Sequence, residues 1–452
     1  MSVDTVSLTG WGRTAPTTAL RFRPRSHEEA AATVRGGGPR GSIARGLGRA
    51  HGDAAQNAGG SVLDMSALDR IRAFDAGAGV VVCDAGVSLH RLLEVLLPLG
   101  WFVPVTPGSR YITVGGAIGS DVHGHNHRVA GTFSRHVTEF ELLTADGEVR
   151  TVRPGSPLFD ATAGGMGLTG VILAVTLRMH PVATSLMSVD TERAADLDDL
   201  MARLTTGSRH RYASAWVDLT ARGRATGRAV LTRGEHAPLD ALPAHARRRP
   251  LSLRAAPLPA PRSLVPELLP GGLFGRASAT ALAELRYRRA PRSRTGELQQ
   301  IPAFFHPLDA VPHWNRIRGR GGFVHYEFAV GHGQEETLHR IVRQISQRRC
   351  PSFLASLGRL GVGDPGWLSF PVPGWTLSLD LPAALPGLAR FLDGLDEEVA
   401  AAGGRVALTN DSRLRPEALA AMYPRLGEFR ALRAELDPNG AFRSDLSRRL
   451  SI

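Results

Sequence analysis

The sequence predicts an α+β protein in two lobes. The first holds a large ligand against bare backbone, and the second is an antiparallel sheet with helices over one face. Three observations predict it. Glycine-dense segments recur at 45–57, 107–127 and 164–172, each beside an apolar, strand-like run. Composition changes near residue 184, with acidic residues gathered at 190–199. Beyond that point, stretches with a period of two at 322–330 and 375–381 alternate with helical periods at 335–348 and 388–402.

The elements follow in order. Residues 20–25 read as a strand, and Ser26 with Glu29 forms a capping box that opens a helix through Val34. Strands at 41–45 and 61–64 flank the first glycine segment. Residues 68–84 alternate as a hairpin with turn signals at 75–79. Ser88 opens an amphipathic helix to Leu97, and a strand at 101–105 feeds the central glycine segment. A hairpin at 135–153 turns on Asp146 and Gly147, and a strand at 171–177 closes the first lobe. After a helix at 195–204, residues 242–275 are rich in Pro, Arg and Ala without periodicity. They predict a mobile loop or lid reaching to about residue 300. The strand at 322–330 puts His325 and Glu327 on one face, and the tail at 416–452 is helical. The expected division is a first domain at 1–183, a second at 184–405 and a C-terminal segment at 406–452.

Composition narrows the chemistry. The 452 residues have room for two or three domain-sized cores. No apolar run approaches the roughly 18 residues of a membrane span, and no secretory n-region or h-region opens the chain, so a soluble, cytoplasmic protein is expected. Cys83 and Cys350 give neither a disulfide framework nor a metal spacing, and no metal is expected. The net charge of +12 comes from arginine alone, for the chain has no lysine. Schiff-base and lysine-base chemistry are thereby excluded, and proton transfer falls to His, Glu, Asp or Tyr. The positive excess suits an acidic or phosphorylated substrate, or a membrane surface carrying a lipid substrate. Arginines concentrated at 247–294 with few aromatics among them argue against nucleic acid.

Within 107–127, five glycines alternate with His123, His125 and His127. Such a backbone leaves amides uncovered for a flat or anionic partner. Neither a Gly-x-Gly-x-x-Gly opening a first βαβ unit nor a Gly-Lys-Ser/Thr phosphate loop is present. A single large ligand held by amides from three segments fits the pattern.

Eight short motifs carry a resemblance. Leu8-Thr-Gly-Trp-Gly-Arg-Thr-Ala-Pro16, Ala44-Arg-Gly-Leu-Gly-Arg49, Asp121-Val-His-Gly124 and Ser214-Ala-Trp216 come first. His306-Pro-Leu-Asp309, Ser369-Phe-Pro-Val-Pro-Gly-Trp375, Asp411-Ser-Arg413 and Met422-Tyr-Pro-Arg425 follow. Together they resemble the vanillyl-alcohol oxidase / p-cresol methylhydroxylase (PCMH) flavoproteins. Within that superfamily they are similar to the decaprenylphosphoryl-ribose 2′-oxidases, the flavin subunits of an epimerase system. The resemblance implies a PCMH-type FAD-binding domain, an antiparallel-sheet substrate or cap domain, and a tail that packs back on the FAD domain.

FAD is the implied cofactor, with its pyrophosphate against the amides of 46–53 and 115–119. Cofactor contacts are expected from Arg45, Gly46, Leu47, Gly48, Arg49, Ala50, His51 and Asn57. Further contacts are expected from Pro107, Gly108, Thr113, Gly115, Gly116, Ala117, Gly119, Ser120, His123, Gly124 and Asn126, and from Gly170 and Ile172. Many superfamily members carry a flavin-linked histidine where this chain has Arg49, so FAD is expected without a covalent bond. His51 would then pack over the flavin or relay a proton. Val122, just before His123, stands where many oxidases have Ala or Gly, and implies a dehydrogenase-like enzyme reoxidised slowly by air.

Departures from the family pattern fall on the implied substrate pocket. The related epimerase oxidases have lysine where this chain has Asn410, cysteine at Ser378, glutamines at His325 and Glu327, and tyrosines at Phe305 and Ala407. Flavin-linked alcohol oxidation needs a base for the hydroxyl proton while hydride leaves for flavin N5. Glu327 with His325 is expected to supply that base, with His123 and Asn410 beside them. Ser214, Trp216, Phe305 and Ser378 are expected to line the substrate. The implied activity is oxidation of a hydroxyl of a sugar, sugar derivative or aminocyclitol-like polyol, in natural-product (antibiotic-type) biosynthesis or as half of an epimerisation. An NAD(P)-dependent reductase would be the partner in the latter case. Two alternatives stand: oxidation of decaprenylphosphoryl-ribose itself for cell-wall arabinan, with membrane contact through the lipid, and a non-catalytic flavin-binding protein.

Overall fold

The computed structural model describes residues 2–206, 210–252, 275–318, 321–352 and 354–452. Two sheets build the first lobe. One runs Ser2–Leu8, Thr17–Arg23, Ser61–Asp64, Ser42–Arg45, antiparallel in its first pair and parallel after it. The other runs Ile71–Asp75, Val80–Asp84, Val171–Arg178, Val137–Leu143, Val149–Val152, antiparallel throughout. Local signals set its helix starts: Ser26 accepts from the Glu29 amide at 3.2 Å and Ser88 from the Arg91 amide at 3.0 Å.

The strand expected at 171–177 is Val171–Arg178, the last of its sheet in chain order and the middle one in space. One expectation for this lobe needs correction. The strand expected at 101–105 is only Trp101–Phe102, since Pro104 has no amide to give a ladder and its carbonyl accepts from Asn126 Nδ2 at 2.8 Å.

One antiparallel sheet of eight strands dominates the rest of the chain. Its order is Ser293–Gln300, Leu186–Ala194, Ala229–His236, Tyr212–Val217, Ala355–Leu360, Gly374–Pro382, Phe323–Gly331, Arg405–Val406. Alternation assigns its two faces. Leu377, Leu379, Leu381, Phe328, Val330, Leu357, Ala215 and Leu231 point into a core closed by two helices. Helix Glu335–Gln347 brings Leu338, Ile341, Val342 and Ile345 to it, and helix Leu388–Ala401 brings Leu388, Leu392, Leu395 and Val399. Each fully buried leucine there contributes about 1.5–3 kcal/mol. The intervening residues of the same strands face the opposite way, and that face carries the site.

The mobile loop expected over 242–300 does not extend across its second half. Arg276–Arg289 is a helix and Ser293–Gln300 is the edge strand paired with Leu186–Ala194. The arginines of that helix hid its period, because they line a surface rather than a core. Residues 253–274 of the same expectation lie outside the described residues.

The motif at 306–309 ties the eight-stranded region to the central glycine segment. Asp309 accepts from Ser109 Oγ at 2.8 Å and from the Arg110 amide at 2.9 Å, while His306 Nε2 meets Thr106 Oγ1 at 2.9 Å. His306 is 1% exposed and burial pushes its pKa down to about 3. Its folded pKa lies below its unfolded value, so its contribution to stability is complete above about pH 6.5 and is lost as pH falls towards the folded value. Between pH 7 and pH 5 this one group should remove about 2 kcal/mol. Urea midpoints at the two pH values check this, and His306→Gln should flatten the slope by one proton's worth.

Candidate functional site

The outward face of the eight-stranded sheet and the three glycine segments enclose a cavity of about 840 Å³. That is near the upper end for ligand pockets and far more than a monosaccharide fills. Register rows form one wall. Trp216 pairs with Ser356, Ser356 with Ser378, and Ser378 with Glu327; Ser214 pairs with Thr232, and Asp380 with His325. All of these side chains line the cavity. Phe305 reaches it only at an edge, as 2% of it is exposed and it packs on Phe102 and Tyr212.

Most of the expected cofactor residues line the opposite wall: Arg45 through His51, Pro107, Gly108, Thr113, Gly115, Gly116, Gly119, Ser120, His123, Gly124, Gly170 and Ile172. Three do not, and these expectations are corrected. Asn57 is fully buried behind the first segment, where its Nδ2 donates to Gly41 at 2.9 Å and Ser61 at 3.2 Å and its Oδ1 accepts from Arg448 at 2.8 Å. Ala117 belongs to the apolar core under its helix. Asn126 is buried, and its Nδ2 donates to the Pro104 carbonyl at 2.8 Å. Each shapes the wall from behind.

The glycines allow close approach of two segments. A Cβ at Gly46 would stand 2.3 Å from Thr113 Oγ1, so a larger residue there forces the segments apart. Arg45 braces the first segment, donating to Ala55 at 2.9 Å and Thr9 at 2.8 Å, while Arg49 lies 3.8 Å over the Trp11 ring. Among the described residues, none accepts a hydrogen bond from the amides of 47–51. Unpaired amides on a bare loop fit the pyrophosphate of a dinucleotide.

A polar cluster stands where the glycine wall meets the sheet. Asn410 Nδ2 donates to Glu327 Oε2 at 2.6 Å, and Asn410 Oδ1 takes His51 Nδ1 at 2.7 Å. His123 Nε2 lies 3.3 Å from Glu327 Oε1. His325 Nδ1 meets Asp380 Oδ1 at 2.5 Å, and its ring stacks on His51 at 4.3 Å. Asp121 is not a partner of His123; it accepts from the Ser134 amide and Ser369 Oγ. His127 lies behind the wall, bound to Asp364 at 3.2 Å.

Charge follows from these contacts. Burial drives the His51 pKa down to about 4, helped by His325, so His51 is neutral. Burial also opposes charge on His123, but the Glu327 carboxylate outweighs it and holds His123 above the ordinary histidine value. Against burial, Glu327 stays below the ordinary carboxylate value, chiefly because of His123. His325 is likewise raised, since Asp380 overcomes burial.

Comparison with known proteins places this arrangement. Residues 18–153 match the family model described as FAD binding domain. Over 456 residues the chain is 43% identical to decaprenylphosphoryl-beta-D-ribose oxidase of Mycolicibacterium smegmatis, covering 99% of this chain and 98% of that one. The chain belongs to the decaprenylphosphoryl-ribose oxidase family of FAD-dependent oxidoreductases. It is also 56% identical over 371 residues to an uncharacterised protein of Streptomyces coelicolor, covering 81% of this chain and all of that one. Alditol oxidase of a Streptomyces species is 28% identical over 86% of each chain. FAD is therefore this chain's cofactor. Among the described residues no helix is long and apolar enough to cross a membrane.

For this member of the decaprenylphosphoryl-ribose oxidase family, several cavity residues had no sequence signal. Asp380, Ser356 and Thr232 enter only through strand register. Arg286, whose guanidinium lies 4.7 Å over Trp216, comes from the helix read as loop. Trp11, by contrast, carries a signal, since it stands inside the first of the eight motifs and lines the cavity.

Proposed function

We propose that this enzyme oxidises a hydroxyl of a sugar, sugar derivative or aminocyclitol-like polyol to a carbonyl. It would act in natural-product biosynthesis, or as the oxidative half of an epimerisation completed by an NAD(P)-dependent reductase. The observation that carries the reading is the meeting of a flavin-type glycine wall with a hydroxyl-rich sheet face at one histidine–carboxylate cluster. Bound FAD supplies the hydride acceptor. Arg49 and the unpaired amides of 47–51 hold the cofactor without a covalent bond, and His51 Nδ1 is already taken by Asn410. Ser214 and Ser356, 3.1 Å apart, with Ser378 and Thr232, offer hydrogen bonds to a polyol, and Trp216 offers a stacking face. His123, Glu327 and Asn410 fix the polarity of the reacting end.

A second reading has its own support. An open groove of about 630 Å³ joins the cavity at Trp216 and Arg286 and is lined by Val230, Leu282, Ala283 and Leu285. An apolar groove with an arginine at its throat suits a lipid-linked sugar phosphate, as in the decaprenylphosphoryl-ribose reading. Anaerobic mixing of the FAD-loaded protein with sugars, sugar phosphates, polyols and a polyprenylphosphoryl-ribose separates the two. Bleaching of flavin absorbance by water-soluble polyols at least tenfold faster than by the lipid-linked sugar is the expected result. The reverse order favours the lipid substrate, and no bleaching by any of them means a non-catalytic flavin binder.

A further inference from the structure

We propose that His325 is the general base of this site, taking the substrate's hydroxyl proton on Nε2, and that Asp380 is its positioning residue. The inference rests on the alcohol-oxidising reading above and moves the base from Glu327 to a pair created by strand register. His325 on Phe323–Gly331 and Asp380 on Gly374–Pro382 are direct cross-strand partners. Asp380 is 3% exposed, and its Oδ1 accepts from His325 Nδ1 at 2.5 Å. That bond leaves the lone pair of a neutral His325 on Nε2. Nε2 has no hydrogen-bond partner among the described residues, and the ring lines the cavity with 19% of its side chain open. The stacked His51 ring, inclined by 14°, fixes the imidazole plane from the other side. A carboxylate that sets tautomer and orientation while the far nitrogen works is the arrangement proton abstraction needs.

Glu327 is placed differently. Both of its oxygens are engaged, one by Asn410 and one by His123, and those partners favour its charged form. A carboxylate so stabilised is a weak base and a good anchor. The titratable groups facing His325 are Asp380 across the strand pair, Glu327 on its own strand and His51 on the first glycine segment. The two carboxylates, Asp380 above all, hold its pKa above the ordinary value against burial, while His51 stays neutral. The step balances. Oxidised FAD, when bound, would supply the acceptor for the hydride released as the substrate C–H bond breaks with its electron pair. The O–H bond breaks with its proton passing to His325 Nε2, and C=O forms. His325 then returns the proton to water.

Two measurements on the FAD-loaded protein test this. In the first, ring-¹⁵N histidine NMR follows His325, assigned by the signal missing in His325→Gln. It should titrate above 6.5, and Asp380→Asn should lower the midpoint by at least about one pH unit. A midpoint at or below 6.5 that Asp380→Asn leaves unmoved overturns the proposal, with or without a substrate in hand. In the second, anaerobic flavin reduction is followed from pH 5 to 9 with a polyol that bleaches the wild type. His325→Gln should slow reduction by about 100-fold or more and abolish the acid limb of the profile. Asp380→Asn should shift that limb to lower pH, and Glu327→Gln should keep it. Loss of the limb in Glu327→Gln with its retention in His325→Gln overturns the proposal. Failure of every polyol to bleach the wild type counts against the oxidase reading, and the NMR result still decides the pair. Glutamine is the residue the resemblance assigns to position 325 in related epimerase oxidases, so His325→Gln should fold and keep its flavin.

Discussion

Arg449→Met should destabilise the protein by about 3–5 kcal/mol and strip it of FAD, because it removes the cation shared by two carboxylates, one on the first glycine segment and one beside the polar cluster. Arg449 forks onto Asp53 at 2.8 and 3.0 Å, donates to the Leu414 carbonyl at 2.8 Å, and lies 2.9 Å from Asp411. Asp53 belongs to the first glycine segment, and Asp411 follows Asn410 of the polar cluster. Burial already raises the Asp53 pKa, with Arg449 opposing it. Without the guanidinium, the two carboxylates face each other with no cation between them. Arg449→Lys should recover little, since an ammonium cannot fork onto one carboxylate while reaching a second. Urea midpoints and the flavin-to-protein absorbance ratio check this. A loss under about 1 kcal/mol with full flavin content would mean the tail does not hold the site together.

Gly52→Ala should be nearly as damaging through packing alone. A Cβ at that position would lie 1.6 Å from the Asp411 carbonyl oxygen, a backbone atom that cannot rotate aside. The segments 50–53 and 409–412 must then separate, which costs about 1–3 kcal/mol by overpacking. Separation also breaks the 2.7 Å contact between His51 and Asn410. The expected outcome is a lower melting temperature, weaker FAD retention, and slower flavin reduction in whatever fraction stays loaded. A crystal structure of the variant with the His51–Asn410 distance unchanged would show that the approach is not needed.

Local signals in the sequence were reliable where local chemistry decides the outcome. Caps at Ser26 and Ser88, the Asp146-Gly147 turn, and the periods of Glu335–Gln347 and Leu388–Ala401 all stand where side-chain spacing puts them. The helix Arg276–Arg289 was illegible because few of its residues are buried, leaving only Ala279 and Ala283 to carry a period. Strand Ala355–Leu360 is illegible for a different reason: Gly358 and Arg359 break its alternation, and they line a cavity no local rule reveals.

The same division runs through the site. By itself the sequence determined that bare-backbone segments suit one large ligand, that no lysine is available as base, and that any proton transfer falls to His, Glu, Asp or Tyr. These follow from residue identity and short spacing, because missing Cβ atoms and missing amines are properties of single positions. Only the tertiary structure decided which carboxylate serves which imidazole. Asp380 and His325 are 55 residues apart and meet through antiparallel register, while Glu327, two residues from His325, is drawn to Asn410 and His123 instead. Register depends on how whole strands share a core, and a slip of one residue would turn every one of these side chains to the other face.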